Sequence, residues 1–458
     1  MMGDDNDEEI PKPYSLLFHP YLTILEKIVS KIIDLVSGFN GLIITEIGSK
    51  TCKDDLKRIR NAMRDGERGM GKSALARWAK VSSSQSSSPG TLAESSGCIP
   101  FRKNILREWN IVDEHTVLPD AIAAANDREW VKVLVRFPSS LLPDELRENA
   151  TVLEYSGCLD VGFGKIDWKK FAPDVPVLLQ FHGGAMIVGG PHDNLLIEET
   201  ARLVENASTA SPPDVITISV DYGLGPDDPF PLGIMDALSV IDYLLDDNSS
   251  RESIHLTGMS AGANISLVAG LEGFRKYPGR ISSIQAQSPF INPSGDSMSY
   301  YMNQAVVPSM HFLRWAWQAY LGLEKPKETS NDNDDNHESE LEKVLRKDSN
   351  YSSWKTWKTD YPSEALHRLV NPALGIPKGL HVDNAPTIIV RYNMGDPLHD
   401  DGKMVTEALK QKAHANASFY EEMNLHCDIM GPYDASAPQD YWKIWSKAIF
   451  GEDKSDSK

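Results

Sequence analysis

From about Trp130 onward, the apolar positions of this chain alternate between two rhythms. Short runs rich in β-branched residues read as strands: Val131–Phe137, Val175–Phe181, Val215–Val220, Ile281–Gln287 and Thr387–Arg391. Ile254 and Leu256 point one way in a further short strand, just before Ser260. Between the later runs, Leu195–Asn206, Gly233–Leu245, Ala263–Lys276 and Asp401–Ala413 carry apolar residues at helical spacing. Strands alternating with helices predict an α/β fold, with a mostly parallel twisted sheet covered by helices on both faces.

The first third has a different texture. Tyr14–Thr45 is the most apolar stretch; Leu25, Ile28, Val29, Ile32 and Val36 share one helical face, and Lys27, Lys31 and Asp34 mark a narrow polar stripe. Those charges argue against a simple membrane span. A helix apolar over most of its circumference is expected to pack inside protein; contact with a lipid surface is the alternative. Val81–Gly97 is Ser-rich and reads as a disordered linker. Asn331–Glu340 is too acidic to pack and reads as a surface loop, inside a Trp-rich stretch between Pro293 and Asn371.

Composition narrows the function classes. The 458 residues suffice for one large domain with additions, or for two domains. A net charge of −19 argues against a nucleic-acid partner, because a phosphate-binding surface of that kind needs a positive excess. Cys52, Cys98, Cys158 and Cys427 lack metal-ligand spacing and read as thiols. The acidic start is unlike a secretory signal, so cytoplasmic residence is the expectation, and the sequons at Asn149 and Asn350 are chance matches.

The chemistry concentrates at Ser260, which sits in a Gly-x-Ser-x-Gly frame between a strand and a helix start. A strand that turns at once into a helix presses its backbone against neighbours, so Gly258 and Gly262 must be small while the serine projects as a nucleophile. Ester hydrolysis further needs a base, a group that orients it, and donors for the oxyanion. Asp396, in GDPLHDD just past Thr387–Arg391, is the candidate acid, with Asp400 and Asp401 as rivals. His426, after the β-like Ala417–Tyr420, is the candidate base; His414 and His399 are less well placed. Phe181–Ala185 (FHGGA) offers backbone donors at Gly183, Gly184 and Ala185, to act with the N–H of Ala261, and His182 is expected to brace the loop.

HGGA at His182–Ala185, DYGLGPDDPFP at Asp221–Pro231, GMSAG at Gly258–Gly262 and GDPLHDDG at Gly395–Gly402 together resemble the hormone-sensitive-lipase-like branch of the α/β-hydrolase esterases. With His426 they span about Pro176–Met430 in family order. Ala185 replaces the family's third glycine, Gly223 stands where the family has arginine, and Met259 replaces the usual acidic residue. The LHCD around His426 lacks the family's Gly-Phe pattern. The resemblance implies an α/β-hydrolase fold with a helical cap. Residues 1–129 would form an N-terminal helical and cap region with its linker at 81–97, residues 130–292 and 372–450 the catalytic domain, and residues 293–371 a cap insertion. Tyr14–Thr45 and His311–Leu321 are similar to the family's cap pieces.

The resulting expectation is a cofactor-independent, metal-free serine hydrolase of small carboxylic esters with an apolar part. Ser260, His426 and Asp396 would serve as nucleophile, base and orienting acid. Peripheral membrane or lipid-droplet contact would run through Tyr14–Thr45. Two other readings stay open: a small-molecule receptor on a disabled hydrolase scaffold, and an amidase or peptidase on the same fold.

Overall fold

The computed structural model describes residues 49–82, 91–322 and 363–451, apart from 154–157, 208–212, 305, 378–383, 413–415, 423–425 and 427–438, together with residues 12–14, 20 and 47. The apolar segment Tyr14–Thr45 and the acidic loop Asn331–Glu340 therefore lie almost wholly or wholly outside the described residues.

Ten strands form one sheet: β1 Leu92–Pro100, β2 Trp130–Pro138, β3 Thr151–Leu153, β4 Cys158–Asp160, β5 Val177–Phe181, β6 Ile216–Asp221, β7 Ile254–Met259, β8 Ile281–Gln287, β9 Thr387–Asn393 and β10 Ala417–Glu422. Their spatial order is β10-β9-β8-β7-β5-β6-β2-β1-β4-β3. All pairs from β6 to β10 are parallel, whereas β2 runs antiparallel between β1 and β6. The expected strands from Val131 to Arg391 are all present, and the mostly parallel α/β sheet holds.

Two layers cover the central strands, which are therefore buried on both faces. Val177, Leu179, Leu256 and Ile388 face a core shared with helices α3 (Leu232–Leu245) and α4 (Ala261–Lys276). Leu178 and Ile389, one residue out of phase, face a second core. That second layer holds Leu75 and Trp78 of helix α1 (Lys50–Ser82), Ile197 and Leu203 of α2 (Asn194–Glu205), and Tyr441 and Trp445 of α8 (Gln439–Phe450). Burying one such side chain stabilises the fold by about 1.5–3 kcal/mol. The remaining long helices are α5 (Met310–Leu321), α6 (Glu364–Val370) and α7 (His399–Gln411).

Two expectations need correction. Residues 81–97 are not a linker throughout: Val81 and Ser82 end α1, and Leu92–Gly97 lie in β1. Leu92 and Ala93 are buried there, and Glu94 pairs with the buried Arg136 directly across the ladder, 2.7 Å away. Nor does the sheet begin at residue 130, because β1 already belongs to it. The serines misled because a strand paired on both sides accepts small polar residues: Ser95 is buried in β1 and Ser96 faces outward.

The chain passes from β5 to β6 on one side, then crosses back to β7 on the other side of β5. In open α/β sheets such a reversal opens a crevice at the carboxyl ends of the strands, where ligands bind. The loops carrying His182–Ala185 and Ser260 both leave the sheet there.

Candidate active site

Ser260 occupies the single residue between β7 and α4, with φ 55° and ψ −118°. A non-glycine residue at positive φ is uncommon and strained. Four of the six such residues among those described cluster here: Ala185, Met186, Ser260 and Ser288. The bend is held by the Ser260 N–H, which donates to the Gln287 carbonyl at 2.8 Å, and by the Phe290 N–H, which donates to the Ser260 carbonyl at 3.1 Å. The flanking glycines are steric requirements. A Cβ on Gly258 would lie 2.1 Å from the Gly262 carbonyl oxygen, and one on Gly262 would lie 1.9 Å from that of Phe181.

Asp396 follows β9 and His426 follows β10, two strands that pair in parallel. His426 Nδ1 and Asp396 Oδ2 are 2.9 Å apart, and both residues are buried. The second carboxylate oxygen of Asp396 accepts the Leu398 N–H at 2.8 Å, which fixes the acid's orientation. Its rivals are engaged elsewhere. Asp401 accepts the N–H groups of Ile291 and Asn292 and the Tyr300 hydroxyl, while Asp400 accepts the Ser299 N–H and contacts the His399 ring. His399 Nε2 meets Glu421 at 2.6 Å, so its ring is tied to two carboxylates outside this pair.

The glycine loop presses on the nucleophile's bend. A Cβ on Gly183 would sit 3.6 Å from the Ser260 Cβ. Gly184 has φ +105°, and a side chain there would also strike the Val188 carbonyl, so only glycine fits. Gly183 departs from expectation as a donor: its N–H is directed at Asp193 Oδ2, 3.3 Å away. The N–H groups of Gly184, Ala185 and Ala261 have no acceptor among the described residues. His182 braces the loop as expected. Its ring stacks on Tyr222 with centroids 4.2 Å apart, and the Tyr222 hydroxyl donates to the His182 carbonyl at 2.7 Å. Burial pushes the imidazole down to about 4, so it is neutral near pH 7.

Behind this loop lies a charged layer that sequence reading missed. Asp193 caps α2 by accepting the Leu195 N–H, and burial raises its carboxyl above the usual range. Burial, reinforced by Asp193, pushes Glu67 of α1 up to about 8. Arg60, also on α1, donates from Nε to the Ile187 carbonyl and from Nη2 to the Gly225 carbonyl, each at 2.7 Å. Arg64 bonds Asp221 at 2.9 Å. Arg128, from elsewhere in the chain, lies beside Gly223. Arg128 pairs with Asp228 at 3.2 Å and with the buried Asp236 at 2.5 Å, and Asp228 and the Arg128 guanidinium together fill the space a side chain on Gly223 would enter. Only the i, i+4 spacing of Arg60 and Arg64 hinted at any of this from sequence.

Among the described residues, no helix is long and apolar enough to cross a membrane. No disulfide joins Cys52, Cys98 or Cys158 among the described residues; Cys427 lies outside them.

The geometry can be set beside known proteins. Carboxylesterase NlhH of Mycobacterium tuberculosis is 33% identical over 162 residues, which cover 33% of this chain and 46% of the relative. Probable carboxylesterase 2 of Arabidopsis thaliana is 30% identical over 99 residues, 20% of this chain and 30% of the relative. The chain thus matches less than half the length of either. Esterase LipW of Mycobacterium marinum superposes with a TM-score of 0.51 at 13% identity, covering 96% of this chain and 98% of that one. A hyperthermophilic esterase from Pyrobaculum calidifontis gives 0.50 at 15% identity, with 93% and 97% covered. Both structures share the fold. A model of the alpha/beta hydrolase fold matches residues 178–428, more than half the chain, and takes in the loop after β5, the bend at Ser260, Asp396 and His426; the chain belongs to the alpha/beta hydrolase fold family, in its hormone-sensitive-lipase-like branch.

Proposed function

We propose that this chain hydrolyses carboxylic esters through an acyl-enzyme formed on Ser260. The supporting observation is the buried 2.9 Å contact between His426 and Asp396, at the same end of the sheet as the strained serine. In this mechanism the Ser260 hydroxyl attacks the ester carbonyl and passes its proton to His426 Nε2. Asp396 holds Nδ1 protonated and stabilises the imidazolium. The tetrahedral oxyanion is held by the N–H groups of Gly184, Ala185 and Ala261. Collapse breaks the bond to the alkoxy oxygen, which leaves as the alcohol with the proton from His426. Water, deprotonated by the same ring, then releases the acid and restores the serine.

The sequence similarity to proteins named carboxylesterases supports this reaction class. Small esters with an apolar acyl or alcohol part are the substrates we propose. Helix α5, whose Trp317 packs on Phe290 with centroids 4.4 Å apart, would form part of the cap and of that pocket. The test is turnover of short-chain p-nitrophenyl esters by wild type and Ser260→Ala, with fluorophosphonate labelling alongside. Loss of both turnover and label in a folded variant supports the proposal. Wild-type protein that folds yet neither turns over nor takes the label would instead favour a receptor.

A further inference from the structure

We infer that the cleft between helix α1, the start of β2 and the end of β6 is a binding site for a phosphate-bearing anion, separate from the ester site. Lys53, Lys57, Arg60 and Arg64 recur at helical spacing on α1, and so form one stripe beside the buried stripe of Cys52, Leu56 and Ile59. Across the cleft stand Arg128 and Lys132, at the start of β2 and beside it. Six cations thus converge on a concavity of about 760 Å³, against the four carboxylates of Asp54, Asp221, Asp227 and Asp228. In a chain of net charge −19, such a convergence is a local feature and not an average of the surface.

The six cations divide into two groups. Arg60, Arg64 and Arg128 are each ion-paired, to Asp227, Asp221, and Asp228 with Asp236, which builds a rigid wall. Lys53, Lys57 and Lys132 form no ion pair among the described residues, and all three are exposed to the cleft's solvent. Three exposed ammonium groups around a preordered wall, with Lys132 also within electrostatic reach of Asp221, suit an anion that carries more than one negative charge. The volume admits a phosphate together with the organic group bearing it. Trp130, 52% exposed on the same wall, offers that group an apolar face. None of Ser260, Asp396, His426 or the glycine loop lines the cleft.

The probe is inorganic pyrophosphate, titrated by calorimetry into the full chain at low salt. Vesicles of phosphatidylcholine with or without phosphatidic acid are co-sedimented in parallel. Wild type is expected to bind pyrophosphate, and Lys53→Glu/Lys57→Glu to weaken binding by about tenfold or more. Lys72→Glu, exposed on the same helix outside the cleft, should leave binding unchanged. Lys132→Glu repeats the test from the strand side should the double variant fail to fold. Pyrophosphate binding without vesicle pelleting identifies a soluble ligand. Pelleting only with phosphatidic acid, lost on charge reversal in the cleft, identifies a lipid headgroup. The site is overturned if neither probe binds, or if Lys72→Glu weakens binding as much as the cleft variants. Binding is measured without ester turnover, so the outcome is independent of the hydrolytic proposal.

Discussion

Arg128, together with Asp228, occupies the space that Gly223 leaves empty. The Gly223 Cβ would fall 3.0 Å from its Nη1, and both the Gly223 N–H and the Arg128 guanidinium converge on the Asp236 carboxylate. Burial pushes Asp236 up to about 7, and Arg128 opposes that rise. Arg128→Ala leaves a buried acid without its cation, which is expected to destabilise the fold by about 3–5 kcal/mol. Urea unfolding of the variant measures this; a change below about 1 kcal/mol contradicts it.

Asp396→Asn keeps the size of the side chain and the acceptor for the Leu398 N–H, but no longer fixes the His426 ring in its productive tautomer. The expected effect is a fall in kcat of roughly three to four orders of magnitude, with the unfolding midpoint little changed. Asp400→Asn should cost far less, since that carboxylate serves Ser299 and His399. Equal losses in the two variants would contradict the assignment of the acid.

Arg60 ties helix α1 to the carbonyls of Ile187 and Gly225, on either side of the glycine loop's far end. It touches no reacting atom and acts by positioning. Arg60→Ala is expected to lower kcat by roughly ten- to hundredfold through a slackened loop, with KM for a small ester nearly constant. Arg60→Lys, which keeps the charge but not the fork, should recover little. A rise in KM alone points to a role in substrate binding instead.

Gly262→Ala places a methyl group against the Phe181 carbonyl and, next to it, the His182 carbonyl. Neither belongs to a flexible side chain, so backbone must move. The expected cost is about 3 kcal/mol or more, together with loss of turnover. Gly66→Ala, where a Cβ meets nothing, should be neutral or stabilising in α1. Thermal unfolding of the two variants makes the comparison.

Asp401 is fully buried, and burial pushes its carboxyl up to about 8 despite the N–H groups of Ile291 and Asn292. A carboxyl that holds its proton more tightly when folded favours the native state at low pH. That contribution is complete below the ordinary carboxylate range and fades as pH climbs toward about 8. Asp401→Asn preserves an acceptor and removes the titration. Its melting temperature should therefore fall less than wild type's between about pH 4 and pH 8, and parallel curves would contradict the prediction.

Much of this molecule was legible in its sequence because the central strands are buried on both faces. Val177–Phe181 and Thr387–Arg391 stood out as short runs dominated by apolar residues, and the bend at Ser260 announced itself through glycines that sterics demand. Strand β1 was hidden, since Leu92–Pro100 contains two serines and a glutamate whose partner, Arg136, lies on another strand. The charged layer behind the glycine loop was equally hidden. Arg60, Arg128 and Asp193 act through contacts between segments far apart along the chain, and no local period records such pairs.

The match to the family model begins at residue 178, yet α1, β1 and β2 all precede it. A protein trimmed to that limit would expose the β6 edge as an open template for aggregation and would forfeit the Arg60 anchor. Expression for biochemistry or crystallisation should therefore retain everything from helix α1 onward, because the part that looks like an appendage is a wall of the room.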